Sequence, residues 1–104
     1  MIKPKERIYR DYQEDLIERL KDPAEALSYL RAALADEDER IFLLALRDVL
    51  QAKGENIPHL AEKTDLNKQN LYRMLSRTGN PRFNSLKTVL RAVGFEITVN
   101  SVKK

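Results

Sequence analysis

No cysteine occurs in the 104 residues, which removes disulfides, thiolate nucleophiles and thiolate-held metals together. That composition fits a reducing cytoplasm, the compartment expected for this chain. No apolar run approaches a membrane span, and the opening MIKPKERIYRDYQEDL lacks the apolar stretch of a signal peptide. Histidine occurs once, at His59. With one imidazole, no thiol and no carboxylate set at ligand spacing, neither a metal nor a cofactor is expected. The acids at 36–39 lack the glycine and the terminal glutamate of a calcium loop. Nucleophilic catalysis needs a serine, cysteine or lysine beside an oriented base. His59 sits beside Pro58 at a helix start and reads as a surface group, so an enzyme is not expected.

Acid is the next absence. From Leu66 through Phe95 there are six Lys/Arg and no Asp/Glu. Residues 1–52 hold nine Lys/Arg against twelve Asp/Glu, a net of −3, and residues 53–104 hold ten against four, a net of +6. The overall +3 therefore hides an acidic half and a basic half. The basic half suits a polyanion, and the acidic half suits a basic partner. The length suits one domain.

The rest of the chain reads as helices. Ile8, Tyr9, Tyr12, Leu16, Ile17 and Leu20 suit a short helix or docking arm over residues 1–21. Asp22-Pro23 reads as an N-cap with proline at the first helical position, followed by Ala26, Leu27, Leu30, Ala33 and Leu34 at helical spacing. DEDE at 36–39 leads into a helix with Ile41, Leu44, Ala45, Val49 and Leu50 inward, closed by Lys53 and Gly54. Asn56 and Pro58 open a short helix with Leu60 and Ala61 inward. After a tight connection, Asn67 caps another helix, whose inward residues are Leu71, Met74 and Leu75. Gly79-Asn80-Pro81 is loop punctuation. Asn84 or Ser85 is the expected cap of a last helix, with Leu86, Val89, Leu90 and Val93 inward and Gly94 at its end. FEITV at 95–99 alternates in strand style and needs a pairing partner, either the N-terminal arm or its twin in a dimer.

Two short helices joined by a three- or four-residue turn make a helix-turn-helix. The second helix then presents Lys68, Gln69, Tyr72, Arg73 and Ser76 outward, with Asn70 and Arg77 at the flanks. Amide side chains pair bidentately with adenine in the major groove, and Arg or Lys with guanine. Lys68, Gln69 and Arg73 are the candidates for base readout, with Asn67, Asn70 and Tyr72 next, for bases or backbone. Arg77, Asn80, Arg82 and Asn84 are placed for phosphates. The contrasting reading of such a polar, basic helix face is an ordinary solvated surface.

LAEKTDLNKQNLYRMLSRTGNP followed by SLKTVLRAVGFEITV resembles the addiction-module antidote proteins, HigA-like antitoxins with a Cro/repressor-type helix-turn-helix. DPAEALSYLRAAL with DEDERIFLLALRDVLQAKG is similar to that family's leading helices, so the resemblance covers roughly residues 22–100. It implies a mainly all-α fold: a five-helix Cro/repressor-like domain over 22–104, an extra N-terminal helix or arm over 1–21, and a short C-terminal β-strand. It further implies a homodimer that represses its own operon on double-stranded operator DNA and neutralises a RelE/HigB-type ribonuclease toxin. Related helix-turn-helix domains often carry glycine where this chain has Asp65, a residue that tolerates the left-handed conformation better than most. Glu14, Asp15 and Glu18, with the DEDE stretch, are the candidates for contact with a basic toxin. A stand-alone prophage-type regulator without a toxin, and a protein-interaction module on the same helical fold, are the alternative readings.

Overall fold

Six α-helices account for the regular structure of the described residues, 4–76 and 78–103, in the computed structural model; side chains are described from Arg10 onward. They are α1 (Pro4–Arg19), α2 (Pro23–Leu34), α3 (Glu39–Ala52), α4 (Ile57–Thr64), α5 (Lys68–Met74) and α6 (Phe83–Ala92). The chain divides into two compact units, Met1–Asn56 and Ile57–Lys104.

In the first unit, α3 packs against both α1 and α2. The Asp22 carboxylate accepts a hydrogen bond from the Ala24 N–H at 2.9 Å, so α2 begins where Asp22-Pro23 predicts. Asp38 caps α3 by accepting from the Arg40 N–H at 3.0 Å. The same carboxylate takes the Arg40 guanidinium at 2.9 Å, and these hydrogen bonds hold its pKa below the ordinary value. At the other end of α3, the Gly54 and Glu55 N–H groups bond back to the Gln51 and Leu50 carbonyls, both at 3.0 Å. That pair of bonds needs a left-handed residue, and Gly54 supplies it at φ 72°.

The buried face of α3 is Phe42, Leu43, Ala45, Leu46, Val49 and Leu50. The expected face included Ile41 and Leu44, which instead stand outside at 37% and 45% exposure. Residues 41–46 are apolar throughout, so the helical period alone could not choose the phase. Packing on two neighbouring helices chose it. On α2, Ala26, Leu30 and Ala33 are buried, whereas Leu27 and Leu34 are exposed.

One polar cluster ties the three helices of this unit together. The Asp48 carboxylate accepts from the Tyr29 hydroxyl at 2.7 Å and from the Gln13 amide at 3.0 Å. Burial, and then the Asp48 bond, raise the Tyr29 hydroxyl well above its ordinary pKa.

In the second unit, α4 packs on α5 and on α6 around Leu60, Leu71, Met74, Val89, Leu90 and Val93. Ala61 and Leu75, both expected inward, are half-buried. Two expectations fail here. The residue at the start of α6 is Arg82, with extended backbone and no side-chain cap, so neither Asn84 nor Ser85 caps it. The expected C-terminal strand is also absent: among the described residues no β-strand occurs, and 95–103 carry no regular structure. A strand exists only through a ladder of hydrogen bonds to a neighbouring strand, and no such ladder occurs among the described residues. Gly94 does close α6 at φ 97°, with the Gly94 and Phe95 N–H groups bonded to the Arg91 and Leu90 carbonyls.

Tyr29→Phe is expected to destabilise the chain by about 1 kcal/mol at neutral pH, the usual worth of one hydrogen bond. Because folding raises the tyrosine pKa, the bond contributes fully below about pH 10 and is lost as pH climbs beyond it. Urea unfolding at a series of pH values should show the gap between wild type and variant closing above that pH.

Candidate nucleic-acid interface

The interface is built from the turn outward. Three residues, 65–67, separate α4 from α5. The Thr64 hydroxyl donates to the Leu60 carbonyl at 2.6 Å and accepts the Leu66 N–H at 3.2 Å, fixing the end of α4 to the turn. Asp65 then takes the left-handed conformation at φ 59°, its N–H bonded to the Ala61 carbonyl at 3.0 Å. The tolerance expected of aspartate at this point is what the structure uses. Asn67 turns the chain into α5: its side-chain oxygen accepts from the Gln69 N–H at 2.7 Å and the Asn70 N–H at 3.4 Å.

With Leu71 and Met74 buried, α5 is fixed in rotation. Lys68, Gln69, Asn70, Tyr72 and Arg73 are all exposed, Tyr72 to 60%. Asn67 is exposed too, but its oxygen is committed to the cap, which leaves its amide N–H groups as its outward chemistry. Asn80, Arg82 and Asn84 are exposed in and beyond the loop. Arg77 lies outside the described residues.

The loop after α5 is drawn tightly against that helix. The Arg73 carbonyl accepts from both the Ser76 N–H and the Ser76 hydroxyl, and the Gly79 N–H bonds to the Ser76 carbonyl at 3.1 Å. A Cβ on Gly79 would fall on the Met74 carbonyl oxygen and lie 2.7 Å from that of Arg73. Glycine is therefore required by close approach. The result is a cleft within this unit where Asn70, Arg73, Asn80 and Arg82 converge with Ser85, beside Met74 and Pro81. Two guanidinium groups, two amides and a hydroxyl with no carboxylate among them form a donor-rich lining suited to phosphate oxygens.

Sequence reasoning had not placed Ser85 in the cleft or Phe83 outside. Both follow from α6 starting at Phe83, two residues before Ser85. Phe83 is 64% exposed, with the Lys87 ammonium 5.6 Å from its ring centroid. No motif announced either, because the helix start is set by the backbone of Arg82.

The acid candidates sit in the first unit. Glu14, Asp15 and Glu18 are exposed on α1. Glu14 and Glu18, one turn apart, border a shallow cleft with Gln13, Ile17 and Gln51. Glu18 is already paired with the Lys21 ammonium at 2.8 Å. The unit Met1–Asn56 carries ten Lys/Arg against thirteen Asp/Glu, and Ile57–Lys104 nine against three, so the charge asymmetry follows the division between the units. Among the described residues, no group of His, Cys, Asp or Glu could hold a metal, and no helix is long and apolar enough to cross a membrane.

Comparison with known proteins gives two matches. A family described as "Probable addiction module antidote protein" matches residues 11–101. An uncharacterized protein of Haemophilus influenzae is 31% identical over 85 residues, covering 82% of this chain and 86% of its own. No solved structure matches.

Gly79→Ala is expected to cost about 1–3 kcal/mol, the range for forcing extra volume into a packed contact. Thermal unfolding followed by circular dichroism measures it, and an unchanged midpoint would contradict the close packing of the loop on α5.

Proposed function

Because this chain belongs to the family of probable addiction module antidote proteins, we propose that it is a DNA-binding antitoxin that represses its own operon. The observation that carries the DNA reading is the exposed face of α5, presenting Lys68, Gln69, Asn70, Tyr72 and Arg73 from a unit of net charge +6. In this reading α4 and α5 are the helix-turn-helix, and α2–α6 are the five helices of a Cro/repressor-like domain to which α1 is the N-terminal addition. The N-terminal residues of α5 enter the major groove. Lys68, Gln69 and Arg73 read base edges there, with Asn67, Asn70 and Tyr72 beside them on bases or backbone.

Asn80, Arg82 and Asn84 take phosphates on the flank, and Arg77 joins them by sequence position. A homodimer places one α5 in each of two successive major grooves, about 34 Å apart on a palindromic operator. The protein acts by binding, in the cytoplasm, with no catalytic step and no cofactor.

The acidic first unit is the surface offered to the toxin, a small basic ribonuclease of the RelE/HigB type. Glu14 and Asp15 on α1 steer the encounter through charge, and Glu18 joins them once Lys21 is displaced. A regulator without a toxin would share the DNA face and lack this partner. Co-expression with the product of the adjacent reading frame, followed by pull-down, separates the two. Recovery of a stable complex supports the antitoxin, and no complex with any adjacent product leaves only the regulator.

Mobility-shift titration against the gene's own upstream region tests the DNA face. Arg73→Ala should lose about 1–3 kcal/mol of specific affinity, the worth of one bidentate base contact. Arg82→Ala should weaken all sequences alike and flatten the salt slope by about one unit. Wild-type affinity in Arg73→Ala would remove the base-reading assignment.

A further inference from the structure

The proposed DNA face leaves out one feature of the basic unit. Phe83, the first residue of α6, is 64% exposed, and the Lys87 ammonium stands 5.6 Å from its ring centroid. One exposed ring is ordinary on a protein surface. Its setting is not. Phe83 lies between Arg82 and Asn84 in the chain, with Lys87 one turn on, and all three are exposed. Helical spacing places the ring relative to the cleft. Ser85 lines the cleft with Arg73 and Arg82. At about 100° per residue, Phe83 stands roughly 200° round α6 from Ser85, on the far flank of the same turn. Lys87, four residues after Phe83, shares that flank. Between the two flanks, the start of α6 has no side-chain cap. A helix is about 10 Å across, a few nucleotides at about 3.4 Å of rise each. A strand that leaves a phosphate in the cleft and crosses this turn therefore meets Phe83 within the same site.

We propose that the DNA contact continues across the start of α6 onto Phe83 and Lys87. There the ring packs on the apolar sugar edge of the backbone, and the ammonium takes a neighbouring phosphate. The occupant is nucleic acid because its backbone alternates anionic groups with apolar sugars, and this flank alternates cations with a ring. A second copy laid ring to ring would set Arg82 and Lys87 against their own counterparts. A basic protein would meet the same repulsion. This inference rests on the DNA reading of α5 and extends its footprint. It also assigns a contact that salt does not screen, since apolar burial releases no counterions.

Mobility-shift titration against a duplex from the gene's own upstream region, repeated over a series of salt concentrations, separates the two side chains. Phe83→Ala should weaken binding roughly tenfold with an unchanged salt slope, about what burying half a phenylalanine side chain is worth. Phe83→Gln should do the same, which keeps the test open if the alanine variant does not fold. Lys87→Gln should flatten the slope by about one unit. Circular dichroism checks the fold of each variant. A wild type that binds no duplex even at low salt overturns the DNA reading itself. A wild type that binds, beside Phe83→Ala and Phe83→Gln of equal affinity, overturns only this contact. An unchanged slope in Lys87→Gln overturns the part assigned to the ammonium. A weakening in Phe83→Ala that tracks lost self-association in sedimentation assigns the ring to a second copy and overturns the contact too. So does a duplex bend in the wild-type complex that Phe83→Ala abolishes, read by energy transfer between labelled ends, which would make the ring a wedge between base steps.

Discussion

The turn between α4 and α5 is the constraint on which the candidate site depends. Thr64, Asp65 and Asn67 each satisfy a backbone group that the chain reversal would otherwise strand. Together they fix where α5 begins, and Leu71 and Met74 fix its rotation. Only then do an ammonium, two amides, a phenol and a guanidinium share one open face. Without the cap, a helix of seven residues would be marginal, because so short a segment cannot recover its nucleation cost alone.

Local chemistry was legible in the sequence, and non-local chemistry was not. Asp22, Asn67, Gly54 and Gly94 act within a few residues of themselves, and each sits where its side chain or backbone freedom predicts. The outward set on α5 was readable for the same reason, since two buried positions determine the rest. The phase of α3 was not readable, because six consecutive apolar residues satisfy more than one face and the neighbours decide. The strand expected at 95–99 is not formed among the described residues, because alternation does not by itself supply a neighbouring strand, a fact no local rule contains. The start of α6 at Phe83 rests on the Arg82 backbone, and it moved Ser85 into the cleft and Phe83 to the surface.

Charge and structure divide at the same place. The acidic residues lie mainly in the unit of α1 to α3, whose polar cluster on Asp48 joins all three helices. The basic residues lie in the unit of α4 to α6, where no acid occurs from Leu66 through Phe95. Such a division lets one chain address two partners of opposite charge without one surface repelling both. It fits the proposed reading, in which one unit takes a nucleic-acid target and the other a basic protein target.

The central claim is that the open face of α5 meets DNA. The most direct measurement is a nitrogen-15 amide spectrum of the labelled chain titrated with a duplex from its own upstream region. The account predicts shifts concentrated in residues 67–73 and 79–85, with the amides of α2 and α3 unmoved. Shifts confined to Met1–Asn56, or none at saturating duplex, would contradict it.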